Sequence, residues 1–103
     1  MKFLIIRFSS IGDIVLTTPV IRCLKTQIVT SEVHYLTKKS FASIFAANPY
    51  VDKLHFLEED LKVTIESLKK ENFDYVIDLH HNLRTLKVKK ALDGTNPGIF
   101  VLM

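Results

Sequence analysis

Four residues just beyond the first apolar run have the types needed for chemistry at a turn. Ser9 and Ser10 supply hydroxyls, Gly12 leaves the backbone open to close approach, and Asp13 brings a lone carboxylate. A carboxylate fixed there can accept the proton of a substrate hydroxyl as that oxygen becomes a nucleophile. It can also act as a cap, because negative charge in the first turn of a helix satisfies free N–H groups and meets the macrodipole, a contribution of about 0.5–2 kcal/mol. Spacing alone leaves both roles open. The dipole that keeps such a carboxylate ionised weakens it as a base, so a base in this position depends on alignment.

A second group follows the last apolar run in "DLHHNLRT", where Asp78, His80, His81, Asn82 and Arg84 can reach the same mouth. Arg84 is the strongest anion ligand among them, since its fork grips a carboxylate or phosphate at two points. Its alternative is to decorate the last helix. Arg7 either points to the site or ties the sheet to a neighbouring helix. The adjacent histidines suggest a metal, but consecutive residues diverge and no third ligand stands at a recognisable spacing, so no metal is expected. His34 and His55 fall mid-strand and belong to sheet faces. No Gly-Lys-Ser/Thr follows the turn and no spaced glycines precede it, which removes the simple nucleotide-binding templates. A serine nucleophile would need an elbow that this sequence does not spell.

These side chains need a scaffold, and the hydrophobic pattern supplies one. Apolar runs of strand length recur at "KFLIIRF", "EVHYLT", "KLHFLE" and "DYVIDL". Between them the spacing turns helical: 13–27, "SFASIFAAN" with Ser40 as cap, "LKVTIESLKKEN" with Leu61, Ile65 and Leu68 on one face, and "LRTLKVKKALD". Glu58, Glu59 and Asp60 mark the start of the third helix. Pro19 interrupts the first helical pattern, either as a kink or as the first position of a new helix capped by Thr18. Alternation of strand and helix with short connections predicts an α/β fold, a Rossmann-like parallel sheet with flanking helices. "FLII" and "YVI" are apolar throughout and predict central strands, whereas the second and third runs alternate more.

The 103 residues suffice for one domain, and 48% hydrophobic with 24% charged residues is an ordinary globular composition. A net charge of +3, from 14 basic and 11 acidic residues, is too small for a nucleic-acid footprint and favours anionic ligands only mildly. Arg7 ends the first apolar run too early for a secretory or membrane-spanning segment. The single Cys23 cannot form an internal disulfide and is expected to be a reduced, buried, cytosolic thiol.

The blocks "KFLIIRFSSIGDIVLTTPVIRCLK", "YLT", "NPYVDKLHFL" and "FDYVIDLHHNLRT" together resemble the N-terminal domain of glycosyltransferase family nine, the lipopolysaccharide heptosyltransferases. The resemblance covers about 1–92 and implies the N-terminal half of a GT-B fold, with strand order 3-2-1-4, leaving 93–103 as an atypical or truncated tail. It implies an acceptor-binding role for this half and an ADP-sugar site in a C-terminal half that lies outside the chain, so the chain alone is expected to be inactive. No cofactor is implied. By the same resemblance Asp13 is the base of an inverting transfer, Ser9, Ser10 and Gly12 shape its turn, and Arg7 and Arg84 hold the acceptor. The implied partner is a lipopolysaccharide-core acceptor, in a bacterial cytoplasmic protein that can contact the inner membrane peripherally. Acidic "EED" replaces a basic acceptor-gripping segment of some members. A non-catalytic anion-binding or interaction module is the alternative, and the apolar end "IFVLM" is a candidate for homodimerisation.

Overall fold

The opening apolar run forms β1, Lys2–Ile6, and every residue after Lys2 is buried because helices cover both faces of this strand. The computed structural model describes residues 2–28, 30–46, 48–80, 82–95 and 100–102, with the backbone alone for 94–95 and 100–102. The elements that follow are α1 (Ile11–Leu16), α2 (Thr18–Gln27), β2 (Glu32–Thr37), a 3-10 helix (Lys39–Phe45), β3 (Lys53–Phe56), α3 (Leu61–Lys69), β4 (Tyr75–Asp78), α4 (Leu83–Thr95) and β5 (Phe100–Leu102).

All strand pairings are parallel, in the order β3-β2-β1-β4-β5. The predicted α/β class, the 3-2-1-4 order and the central β1 and β4 agree with this, and β5 adds a short strand beside β4. Ile5 stands opposite Tyr35 on one side and Ile77 on the other. Side chains of period two then divide the core. Phe3, Ile5, Val33, Tyr35 and Ile77 pack with Ile14, Ile21 and Phe45 under α1, α2 and the 3-10 helix. Leu4, Ile6, Leu36 and Val76 pack with Leu68, Val88 and Leu92 from α3 and α4. Each such fully buried aliphatic side chain contributes roughly 1.5–3 kcal/mol.

Four local expectations are corrected. Pro19 does not kink one helix: α1 ends at Leu16, Thr17 caps α2, and Pro19 sits in its first turn, where a missing N–H costs nothing. The Thr17 hydroxyl donates to the Ile14 carbonyl at 2.6 Å and meets the Tyr35 hydroxyl at 2.9 Å. This break resets the helical phase, so Ile21 faces the sheet and Cys23 is exposed rather than buried. The segment after β2 begins at Lys39, behind Lys38 rather than behind a serine cap. β2 is buried along nearly its whole length, although its sequence alternates, because it lies between β1 and β3.

α3 starts as expected, with the Asp60 carboxylate accepting from Lys62 N–H at 2.9 Å. At its far end Asn72 takes φ 56°, a left-handed turn that asparagine tolerates, and returns the chain into β4. Among the described residues no helix is long and apolar enough to cross a membrane. His81, Ile99 and Met103, singled out in the sequence, lie outside the described residues.

Candidate functional site

The chain leaves β1 through Arg7, Phe8 and Ser9 and enters α1 at Ile11, so the turn stands at the carboxyl edge of the central strand. In an open parallel sheet this edge is where ligands gather. Asp13 is on the first turn of α1, its carboxylate about half exposed. Oδ2 accepts from the Ser10 hydroxyl at 2.9 Å and more weakly from the Ser10 N–H at 3.4 Å. It also pairs with the Arg7 guanidinium at 3.0 Å. The Ser10 hydrogen bonds, with Arg7 adding to them, hold its pKa below the ordinary value of 3.8. Asp13 is therefore a cap and an outward-facing carboxylate at once.

Arg7 does both things that the sequence left open. One terminal nitrogen meets Asp13, and the other donates to the Leu79 carbonyl just past β4. The guanidinium thus joins the two central strand ends beneath the turn. Ser9 is half-buried and Ser10 is exposed. Gly12 corrects its expectation: its φ is not positive, and a Cβ placed on it would meet nothing within 4 Å. Neither backbone strain nor a close protein contact requires glycine here. What it leaves is open space beside Asp13.

The segment after β4 faces the same edge. Asp78 is fully buried, pairs with Lys89 of α4 at 3.0 Å, and accepts from the His80 N–H at 2.9 Å. His80 in turn accepts from the Phe8 N–H through Nδ1, at 3.4 Å, which leaves the proton of the neutral ring on Nε2. Burial lowers the His80 pKa, and Arg7, Arg84 and Lys38 press it the same way against the opposing Asp78. Arg84, on the first turn of α4, is exposed and lies with its guanidinium 5.1 Å above the Phe8 ring.

The edge therefore carries three cations around His80, one of them bound to Asp13. Sequence reasoning found Arg7, Arg84 and Asp13 but missed Lys38 and Phe8. Lys38 had a readable signal: it directly follows β2, at the carboxyl edge of a strand next to the first. Phe8 had none, since its part is to carry Arg84 on its ring.

No family model matches the chain. Lipopolysaccharide heptosyltransferase 1 of Campylobacter coli is 32% identical over 104 residues, covering 95% of this chain and 30% of that protein. A family-nine glycosyltransferase from Veillonella parvula aligns over 99% of the chain with a TM-score of 0.78 and 19% identity. The Escherichia coli heptosyltransferase WaaC, solved with ADP, aligns over 76% with a TM-score of 0.65 and 25% identity. The chain matches the amino-terminal part of a glycosyltransferase family nine protein. It spans 30% of the curated relative's length, and 35% and 27% of the two solved chains. The resemblance first visible in the Arg7-to-Asp13 stretch thus extends over nearly the whole chain, and the Rossmann-like sheet is shared with those structures.

Proposed function

We propose that this chain is the acceptor-binding part of an inverting GT-B glycosyltransferase that transfers heptose or a related sugar from an ADP-sugar to a lipopolysaccharide-core acceptor. The observation that carries the reading is the carboxyl edge itself: an exposed, ionised Asp13 beside open space and paired with Arg7, on the edge where Arg7, Arg84 and Lys38 surround His80. Cations in such a mouth favour an acidic or phosphorylated acceptor.

Asp13 accepts the proton of the acceptor hydroxyl, whose oxygen bonds to the anomeric carbon of the donor. The bond from that carbon to ADP breaks, ADP leaves with the electron pair, and the configuration inverts. A carboxylate with a lowered pKa is a weak base, so its contribution comes from alignment and from taking the proton late. Ser10 keeps the carboxylate in place, and Gly12 admits the acceptor beside it. The donor site belongs to a C-terminal half of the kind present in the longer relatives, so the chain alone binds acceptor without transferring sugar. The working location is the cytoplasmic face, peripheral to the inner membrane.

The test is a chimera in which this chain replaces the matching part of the Campylobacter coli enzyme. Asp13→Asn lowers kcat about a hundredfold or more, while the acceptor still binds. Activity within a factor of about two of the parent chimera rejects the base. A non-catalytic anion cradle predicts that result, and it is favoured by the engagement of Asp13 with Arg7 and Ser10.

A further inference from the structure

On the opposite edge of the sheet a second group of side chains has no part in the chemistry above. His34 of β2 and His55 of β3 project onto the α3 and α4 face, one strand apart, because the register sets Leu36 opposite His55. Both rings are buried. His34 Nδ1 and His55 Nε2 lie 2.8 Å apart, and Glu71, in the turn that leaves α3, places Oε2 3.9 Å from His55 Nε2. The three inward atoms fall within 4.8 Å of one another.

We propose that His34 Nδ1, His55 Nε2 and Glu71 Oε2 form a binding site for a divalent transition metal ion of the zinc type. The proposal stands independently of the reading of Asp13.

The outer contact of His34 supplies the first argument. Its Nε2 meets the Glu32 carboxylate at 2.5 Å. An ionised carboxylate only accepts, so Nε2 carries the proton and a neutral His34 presents its lone pair at Nδ1, towards His55 and Glu71. A carboxylate on the far nitrogen is how metal-binding histidines are held in one tautomer and one orientation. His55 turns Nε2 inward, 2.8 Å from that lone pair, so with no metal bound Nε2–H donates to His34 Nδ1, and His55 has to move this proton to its own Nδ1 before Nε2 can ligate.

Distances supply the second argument. Ligands at 2.0–2.2 Å from a tetrahedral zinc stand about 3.3 Å from each other. The two nitrogens must open from 2.8 Å and the Glu71 carboxylate must close on His55 from 3.9 Å, each by roughly half an ångström, while His34 Nδ1 and Glu71, up to 4.8 Å apart, must approach by as much as about 1.5 Å. The last movement falls on the Glu71 side chain, which must leave its lysine partners to make it. A groove lined by Lys53, His55, Thr64 and Ser67 opens the site to solvent on the His55 side. Two imidazoles and one carboxylate suit zinc, cobalt or copper rather than magnesium or calcium.

The competitor is visible as well. Glu71 is held by Lys53 at 2.6 Å and by Lys2 at 3.3 Å, and these cations oppose a bound dication. Lys53 is mostly exposed and can swing into water, so the site binds weakly and is tightened by its removal.

The test uses the tag-free 103-residue chain, titrated with ZnCl2 by calorimetry and with CoCl2 by visible absorption. One equivalent of zinc is expected, with a tetrahedral cobalt spectrum and imidazole nitrogen shifts showing ligation at His34 Nδ1 and His55 Nε2. Glu71→Gln and Glu32→Gln each weaken binding about tenfold or more, whereas Lys53→Met strengthens it. Absence of stoichiometric zinc binding by the folded wild-type chain overturns the proposal. So does binding that survives Glu71→Gln unchanged, or that is abolished by His80→Ala instead.

Discussion

The Arg7 guanidinium lies 3.0 Å from the Asp13 carboxylate while donating to the Leu79 carbonyl, so one side chain couples the proposed base to the ends of both central strands. Asp13 is consequently held from two sides, by Ser10 and by Arg7, and both favour its charged form. Followed by carbon-detected NMR in this chain, the Asp13 carboxyl is expected to titrate below 3.8. Ser10→Ala raises the midpoint most, because its hydroxyl makes the strongest of these contacts, and Arg7→Gln raises it less. A wild-type midpoint at or above 3.8, or one indifferent to Ser10→Ala, contradicts the geometry described.

Gly12 gives a prediction in which stability and binding move in opposite directions. It sits in the first turn of α1 with a negative φ and nothing near the place of a Cβ. Gly12→Ala therefore stabilises the fold, by up to about 1 kcal/mol. If the space beside Asp13 admits the acceptor, the same methyl group weakens acceptor affinity. Urea denaturation and calorimetric titration with an anionic sugar check both. A variant that is more stable and binds equally well removes Gly12 from the site.

How far the sequence disclosed this arrangement depends on the range of each interaction. The acidic start of α3 and the capping role of Asp13 rest on contacts two or three residues apart, and residue type with spacing sufficed to expect those roles, though not Ser10 as the partner of Asp13. The buried faces of β1 and β4 were equally legible, since a strand covered on both sides has to be apolar throughout. His34 against His55 was not, because it depends on the register between β2 and β3. Arg7 bonding the Leu79 carbonyl spans 72 positions and depends on β1 lying beside β4. Cys23 was misplaced for a local reason: the hydroxyl of Thr17 ends α1, and the phase of α2 starts anew from there.

Thr17 also makes the alkaline behaviour of the protein predictable. Its single proton goes to the Ile14 carbonyl, so the Tyr35 hydroxyl is the donor of their 2.9 Å contact. Burial raises the Tyr35 pKa to about 12 from an ordinary 10.0. The folded state then keeps a proton that the unfolded chain releases, and stability falls as pH rises from about 10 to 12. The decline is on the order of 2 kcal/mol. Tyr35→Phe costs about 1 kcal/mol at neutral pH through the lost hydrogen bond and flattens that decline. Equilibrium unfolding at stepped pH, with tyrosinate absorbance as the probe, measures both. An equally steep decline in Tyr35→Phe shows that another group is responsible.

Arg84 separates charge from shape at the proposed acceptor edge. It is exposed and makes no ion pair among the described residues, but its guanidinium carbon lies 5.1 Å over the Phe8 ring. That support is specific to a flat cation, because a lysine ammonium neither stacks in the same way nor grips two oxygens at once. Arg84→Ala should leave stability within about 0.5 kcal/mol, as for other surface changes. It should weaken binding of a phosphorylated or acidic sugar about ten- to a hundredfold, since a hydrogen bond to a charged group is worth roughly 1.5–3 kcal/mol. Arg84→Lys, which keeps the charge, should recover only part of that loss. Titration of the three proteins at low and high salt decides the matter. Full recovery by lysine reduces the role to bulk charge, whereas unchanged affinity in Arg84→Ala leaves the residue as a solvated ornament of α4 and moves the acceptor contacts to Arg7 and Lys38.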